Sequence, residues 1–155
     1  MAKVGINGLG RIVRSSLKII LEPPELQFVA ARHTADLENI AYLIKYDTAY
    51  GRFDGSVDFE EGKLIIDGKE YPYFSERDPA NIPWDEVGAD VVIESTGFFR
   101  TPEAASKHLD AGAKAVIISA PAKGDVPMVV PGVNSEDGRV DMFSVASCTT
   151  NSIAP

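Results

Sequence analysis

A doubly wound α/β domain, built on a mostly parallel sheet with an antiparallel insertion, is the fold class this sequence predicts. Three observations carry that prediction. A short apolar run, Val4-Gly5-Ile6-Asn7, passes through a glycine turn into a helical pattern and then a second apolar run, Leu26 to Ala31, about the length of one βαβ unit. Between residues 57 and 74 the pattern changes to short strand-like runs around the turns Glu61-Gly62 and Asp67-Gly68. Strand and helix then alternate again, through Asp90-Val91-Val92-Ile93-Glu94 and Ala113 to Ser119.

Each element has a local reason. Val4 to Asn7 is apolar and ends in glycine, as a buried strand does. Arg11 to Leu21 places Ile12, Leu17, Ile19, Ile20 and Leu21 on an apolar side and Arg14 and Lys18 on the other, and Pro23-Pro24 stops it. Asp36 caps a helix through Leu37, Ile40, Ala41, Leu43 and Ile44. Val57 to Phe59, Lys63 to Ile66 and Tyr71 to Phe74 form an antiparallel meander. Thr101 caps the next helix, with Pro102 at its first position. Val126 to Val130 and Val140 to Val145 are further strands. Repeats, low-complexity tracts and linkers are absent from the sequence.

Composition narrows the function. A length of 155 residues fits one domain with one sizeable core. A formal charge of −8 argues against a general basic face and against nucleic acid as a partner. The lone cysteine, Cys148, cannot form an internal disulfide, which predicts a cytoplasmic protein. The apolar runs are too short to cross a bilayer, and Met1-Ala2-Lys3 leads straight into a strand pattern with no signal peptide before it. A membrane is therefore not an expected partner.

Gly8-Leu9-Gly10 follows the first strand and opens the first helix, the context a dinucleotide-binding turn requires. The first glycine makes the turn, the second lets backbone approach a pyrophosphate, and the helix N-terminus offers free amides. Arg11 adds a charge nearby. The third fingerprint position is Val13, whose bulk is expected to push the helix outward or shift its packing. The second strand ends Ala30-Ala31-Arg32-His33-Thr34, with no acid before Asp36. A carboxylate there holds the ribose hydroxyls of NAD, whereas Arg32 and Thr34 can bind a 2′-phosphate. The cofactor reading is therefore NAD or NADP.

Ser147-Cys148-Thr149-Thr150-Asn151 lies between a strand and the start of a helical pattern. A cysteine at a helix N-terminus has its thiolate favoured, and the flanking hydroxyls can hold an anion or a carbonyl oxygen. A lone cysteine is also commonly a small buried hydrophobe. Its neighbours Ser, Thr, Thr and Asn argue against a core site. No partner base is apparent, since His33 falls at the adenosine end and His108 late in a helix facing solvent.

Val4-Gly5-Ile6-Asn7-Gly8-Leu9-Gly10-Arg11-Ile12, Lys45-Tyr46-Asp47-Thr48-Ala49-Tyr50-Gly51-Arg52-Phe53, Glu94-Ser95-Thr96-Gly97-Phe98-Phe99, Ile117-Ile118-Ser119-Ala120-Pro121 and Ala146-Ser147-Cys148-Thr149-Thr150-Asn151 stand in the order found in phosphorylating glyceraldehyde-3-phosphate dehydrogenases, and Glu76-Arg77-Asp78-Pro79 continues the match. The chain resembles that family along its whole length. The resemblance implies a Rossmann-like dinucleotide domain over residues 1–147, with residues 148–155 starting the catalytic domain. It implies that Cys148 attacks glyceraldehyde 3-phosphate, that hydride passes to the nicotinamide, and that inorganic phosphate cleaves the thioester to give 1,3-bisphosphoglycerate.

By the same resemblance Ser147 and Thr149 bind substrate or phosphate. Asn7, Gly8, Gly10, Arg11 and Ile12 lie at the pyrophosphate, Arg32, His33 and Thr34 at the ribose, Arg77 near the adenine, and Thr96 and Ser119 along the cleft. A homotetramer is implied as well. Val13 and Arg32-His33 depart from the family pattern. The family's base histidine and substrate-binding arginine belong to its second domain, so the 155 residues alone are expected to be inactive. Erythrose-4-phosphate dehydrogenase, or a dinucleotide-binding module without catalysis, are the alternative readings; aspartate-semialdehyde dehydrogenase has a different cysteine context.

Overall fold

The computed structural model describes residues 1–134 and 140–155. The chain runs β1 (Ala2–Asn7), α1 (Arg11–Ile20), β2 (Leu26–Arg32), α2 (Leu37–Lys45), the short strands β3 (Tyr46–Asp47) and β4 (Gly51–Arg52), β5 (Val57–Glu60), β6 (Lys63–Ile66), β7 (Lys69–Phe74), a 3-10 turn at Pro79–Asn81, β8 (Val91–Glu94), α3 (Pro102–Ala105), α4 (Lys107–Asp110), β9 (Ala115–Ile118), β10 (Met142–Ser144) and α5 (Cys148–Ile153). One eight-stranded sheet has the order β10-β9-β8-β1-β2-β7-β6-β5. It is parallel from β10 to β7, and β5, β6 and β7 form the expected antiparallel meander on its edge. β3 and β4 make a separate antiparallel pair that the sequence patterning did not indicate. The chain leaves β1 for β2 on one side and reaches β8 on the other, so the strand order reverses at β1, where α/β sheets bind ligands.

Successive residues of the central strands point to opposite faces and feed two cores. Ile6 and Ala31 pack with Leu9, Val13, Leu17, Ile40 and Ile44 on one face. Ala30 and Val92 pack with Ile82, Trp84 and Ala113 on the other.

Several expectations are corrected here. In α1 the inward face is Val13, Arg14, Leu17 and Ile20, while Ile12 and Ile19 are exposed. The buried stripe lies one step away from the expected one: Arg14 turns inward because its Nη1 can donate to the carbonyl of Leu9 at 3.0 Å. Val13 is fully buried within the core rather than standing off it. The glycine that permits close packing is Gly5, on the strand. A Cβ there would lie 2.6 Å from the ring of Trp84, and the β1–β2 register shifts between Val4 and Gly5. Thr101 caps its helix as read, accepting from the Ala104 amide at 3.3 Å, but the helix is broken into α3 and α4. Residues 126–130 form no named strand. Pro127 has no amide to give, and the segment touches β10 through a single bridge from Met128 to Ser144. His108 is not at the surface; it is fully buried.

Candidate dinucleotide site and cysteine turn

The register aligns the strand ends in one row. Phe74 pairs with Arg32, Arg32 with Asn7, Asn7 with Glu94, Glu94 with Ile118 and Ile118 with Ser144. At about 4.8 Å per strand, the row from β2 to β10 is roughly 19 Å long. Such an edge suits an extended ligand lying across the carboxyl ends of the strands.

Gly8 sits at the centre of this row with φ +100°, and a Cβ there would be 2.9 Å from the backbone of Ser95 and Thr96. Only glycine fits, for conformation and for space. Its amide donates to Arg32 O at 2.7 Å, tying the turn to the end of β2. Gly10 is the N-cap of α1 and has no side chain to satisfy the first-turn amides; an added Cβ would meet nothing within 4 Å. The first-turn amides of α1 thus have no side-chain cap and the space beside Gly10 is open, an arrangement that can receive a phosphate. The residues fit a dinucleotide at this point. Ile12 is exposed beside the turn. Arg11 reaches Asp47 at 3.2 Å. Asp47 is held below its usual carboxylate range first by the amides of Tyr50 and Ala49, with Arg11 adding to them.

At the adenosine end the placements differ from the sequence reading. Arg32 is buried, and its guanidinium donates to the carbonyls of Glu76 and Arg77. It is committed to the loop after β7 instead of being free for a phosphate. Arg77 itself is exposed on that loop. His33 is half-buried and held below its ordinary pKa, first by burial, then by the charges of Arg32 and Arg14. Thr34 is exposed. Asp36 caps α2, accepting from the Asn39 amide at 3.2 Å.

On the other side of Gly8 the wall is Ser95, Thr96 and Ser119. Ser119 Oγ donates to Ser95 Oγ at 2.8 Å, and the amide and hydroxyl of Thr96 donate to Glu94 Oε1 at 2.8 and 2.5 Å. Glu94, with Asn7, His108 and Trp84, forms a buried polar cluster that sequence reasoning missed. Asn7 Nδ2 donates to Glu94 Oε2, which also faces His108 Nε2 at 2.9 Å, while Trp84 Nε1 donates to His108 Nδ1 at 3.0 Å. Asn7 Oδ1 is buried without a hydrogen-bond partner. One signal was available: a glutamate ending a Val-Val-Ile strand must find donors if the strand is buried.

The cysteine turn follows β10. Ala146 is buried and left-handed, with φ +59°, costly for a residue with a Cβ. Its amide donates to Ser144 Oγ at 3.0 Å, and Ser144 Oγ donates to Ala120 O at 2.7 Å. The turn throws Cys148 out as the first residue of α5, where its side chain is exposed. Ser147 Oγ caps α5 through the Thr150 amide at 3.0 Å. Asn151 Nδ2, also missed, donates to Val145 O at 2.8 Å and Ser147 O at 2.9 Å, clamping the turn. Thr149 is exposed beside Cys148.

The fold and this edge define a dinucleotide-binding α/β domain that presents a cysteine at the end of its strand row. Residues 2–102 match the family described as glyceraldehyde 3-phosphate dehydrogenase, NAD binding domain. Glyceraldehyde-3-phosphate dehydrogenase of Yarrowia lipolytica is 56% identical over 99% of the chain and 46% of its own length. That of Coccidioides posadasii is 53% identical over 100% and 47%, and that of Clostridium acetobutylicum 49% over 100% and 47%. The chain belongs to the glyceraldehyde-3-phosphate dehydrogenase NAD-binding-domain family, and NAD is its cofactor class. It spans about half the length of the curated relatives it matches. Among the described residues, no helix is long and apolar enough to cross a membrane.

Proposed function

We propose that this chain is the dinucleotide-binding part, residues 1–147, and the nucleophile, Cys148, of a cytoplasmic phosphorylating glyceraldehyde-3-phosphate dehydrogenase, with residues 148–155 opening the catalytic part and a homotetramer as the working form. The observation that carries this reading is the exposed Cys148 turned out by left-handed Ala146 at the end of the same strand row that holds the Gly8 turn. The Cys148 thiolate adds to the aldehyde carbon of glyceraldehyde 3-phosphate, giving a hemithioacetal whose oxygen takes up a proton. Bound NAD would supply the acceptor for the hydride leaving that carbon, and the hemithioacetal hydroxyl gives its proton up to solvent as the carbonyl forms. A thioester on Cys148 remains; inorganic phosphate attacks it, the Cys148 sulfur leaves as thiolate, and 1,3-bisphosphoglycerate departs.

Thr149 is positioned to contact substrate phosphate. Ser147, whose oxygen caps α5 and shares a hydrogen bond with the Thr150 hydroxyl at 2.8 Å, sits beside Cys148 where it can bind substrate. Neither of the chain's two histidines serves as base: His108 is enclosed by Glu94 and Trp84, and His33 follows β2 at the opposite end of the row. Turnover by the 155 residues alone is accordingly not expected. At the glycine turn, Gly8, Gly10, Arg11 and Ile12 receive the pyrophosphate; Asn7, expected among them, is fully buried and holds Glu94 beneath the turn. His33 and Thr34 meet the ribose, Arg77 lies near the adenine, and Thr96 and Ser119 line the cleft. Because β2 ends in Arg32-His33-Thr34, with no acid at the ribose position, NADP is accepted at least as well as NAD. Thiol labelling of the folded protein tests the cysteine directly. Cys148 should react stoichiometrically before denaturation, and glyceraldehyde 3-phosphate should protect it; labelling only after unfolding overturns the reading.

A further inference from the structure

We propose that His108 is a positioning residue for the dinucleotide, acting through Glu94 on the wall of the cleft; this rests on the dinucleotide-binding reading above. The hydrogen-bond roles follow from the donor inventory. Trp84 Nε1 can only donate, so His108 Nδ1, 3.0 Å away, accepts and carries no proton. The ring proton therefore sits on Nε2 and is donated to Glu94 Oε2 at 2.9 Å. Asn7 Nδ2 is also a donor and is given to the same oxygen. One carboxylate oxygen is thus held by two buried donors, and the other, Oε1, holds the amide and hydroxyl of Thr96. Glu94 and His108 are at most 1% exposed, so water cannot replace a lost partner.

The consequence for the ligand is steric. The Ser95–Thr96 backbone already approaches the place of a Gly8 Cβ to 2.9 Å, and Ser95 N donates to Asn7 O at 2.8 Å. A rotation of the Glu94 carboxylate that releases Thr96 moves this backbone against the phosphate turn. His108 sits in α4, away from the strand-end row, yet it sets the carboxylate that fixes the turn's neighbour. Trp84, its other partner, packs on Gly5 in the strand leading to that turn, so the cluster grips β1 and β8 together.

Two substitutions separate the bonds. His108→Asn keeps an acceptor at the Nδ1 position for Trp84 but nothing that reaches Glu94. His108→Gln keeps an N–H at the Nε2 position for Glu94 but loses the acceptor for Trp84. Three quantities are read: NAD affinity by calorimetry, unfolding in urea, and emission of Trp84, the chain's only tryptophan. We expect His108→Asn to weaken NAD by about tenfold or more with Trp84 emission near the unsubstituted value, and His108→Gln to keep affinity within about threefold while the emission shifts. A merely structural His108 moves affinity in step with stability in both variants, or in neither, and either result overturns the proposal.

Should a variant fail to fold, amide exchange in the unsubstituted protein decides. NAD should slow exchange of the Thr96 amide and perturb Trp84 emission although Trp84 is fully buried. Absence of both changes in NAD-bound protein overturns the positioning role, whereas absence of NAD binding by the unsubstituted protein overturns the dinucleotide reading beneath it as well.

Discussion

Around the glycine turn, the side chains that fix the backbone come from far along the chain: Asn7 and Glu94 are 87 residues apart, Asn7 and His108 are 101. Around Cys148 the bonds from Ser147 and Asn151 span three to six residues, and the Ser144 hydroxyl's bond to Ala120 is the long one. The first set is buried and the second largely exposed. A buried polar network loses the full desolvation cost of each orphaned group when broken, whereas an exposed turn lets water take the vacated partner. The phosphate turn is therefore held by the tertiary fold, and the cysteine turn by its own sequence. Chemistry at the cysteine can be shaped locally without endangering the sheet.

The largest break in this comparison is Glu94→Ala. It leaves donors from Asn7, His108 and Thr96 unmet in a dry site, and we expect a loss of about 3 kcal/mol or more in denaturant unfolding. A loss under about 1 kcal/mol would mean that water enters the cluster and that the buried–exposed contrast does not hold.

Next in size is a pair of glycine substitutions within the first region. Gly5→Ala drives a methyl into Trp84 and should cost about 1–3 kcal/mol. Gly10→Ala meets no atom within 4 Å and should change stability by only a few tenths to about 1 kcal/mol, yet weaken NAD because the methyl stands where a phosphate approaches. Equal stability losses at the two sites would place the close-packing glycine wrongly.

The same contrast explains what the sequence made legible. Thr101-Pro102 and Ser147-Cys148 are short-range devices whose partners lie within a few residues, and Gly8-Leu9-Gly10 is marked by residue type although its partners, the Arg32 carbonyl and the Ser95–Thr96 backbone, are distant; the structure places all three at turn and helix starts. The sequence points His108 to solvent because a lone histidine in a lysine- and aspartate-bearing segment carries no mark of a glutamate fourteen residues earlier. Arg32 looks like a phosphate ligand in the sequence because its two carbonyl partners, Glu76 O and Arg77 O, belong to the backbone and leave no trace in residue type. Arg14 looks solvent-facing in the sequence for the same reason, its partner being the Leu9 carbonyl. Side chains spent on distant backbone are the class that periodicity cannot see.

In the exposed region the effect should be smaller. Ser147→Ala removes the cap of α5 and should cost at most about 1 kcal/mol, read by urea unfolding. Cys148 should stay reactive to thiol reagents, since Asn151 still clamps the turn. A cooperative loss comparable to Glu94→Ala would show that the cysteine turn is not locally held.

The smallest expected effect lies at the end of β2, where long-range and local control meet in His33. Its pKa is depressed by burial and then by Arg32 and Arg14, so the imidazole is neutral at pH 7 and charges only below the ordinary value of about 6.5. For a depressed group the stabilising contribution is present above the unfolded pKa and is lost as pH falls through the folded one, so free protein should lose some stability below about pH 6.5. A 2′-phosphate favours the charged imidazole, so NADP should gain on NAD over the same window. The gain is limited because a phosphate monoester with a second pKa of about 6 loses charge there too, and because a half-buried site is screened. Calorimetry from pH 7.5 to 5.5 should therefore show the NADP-to-NAD affinity ratio rising, by less than about tenfold. His33→Gln should flatten this rise, and His33→Asp should turn the preference toward NAD, because a carboxylate accepts from the ribose hydroxyls and repels the phosphate. Arg32→Ala should act chiefly through stability, since its guanidinium is spent on the Glu76 and Arg77 carbonyls. A ratio that falls as the pH is lowered, or one governed by Arg32 with His33 silent, would return the 2′-phosphate to the arginine and remove His33 from the cofactor choice.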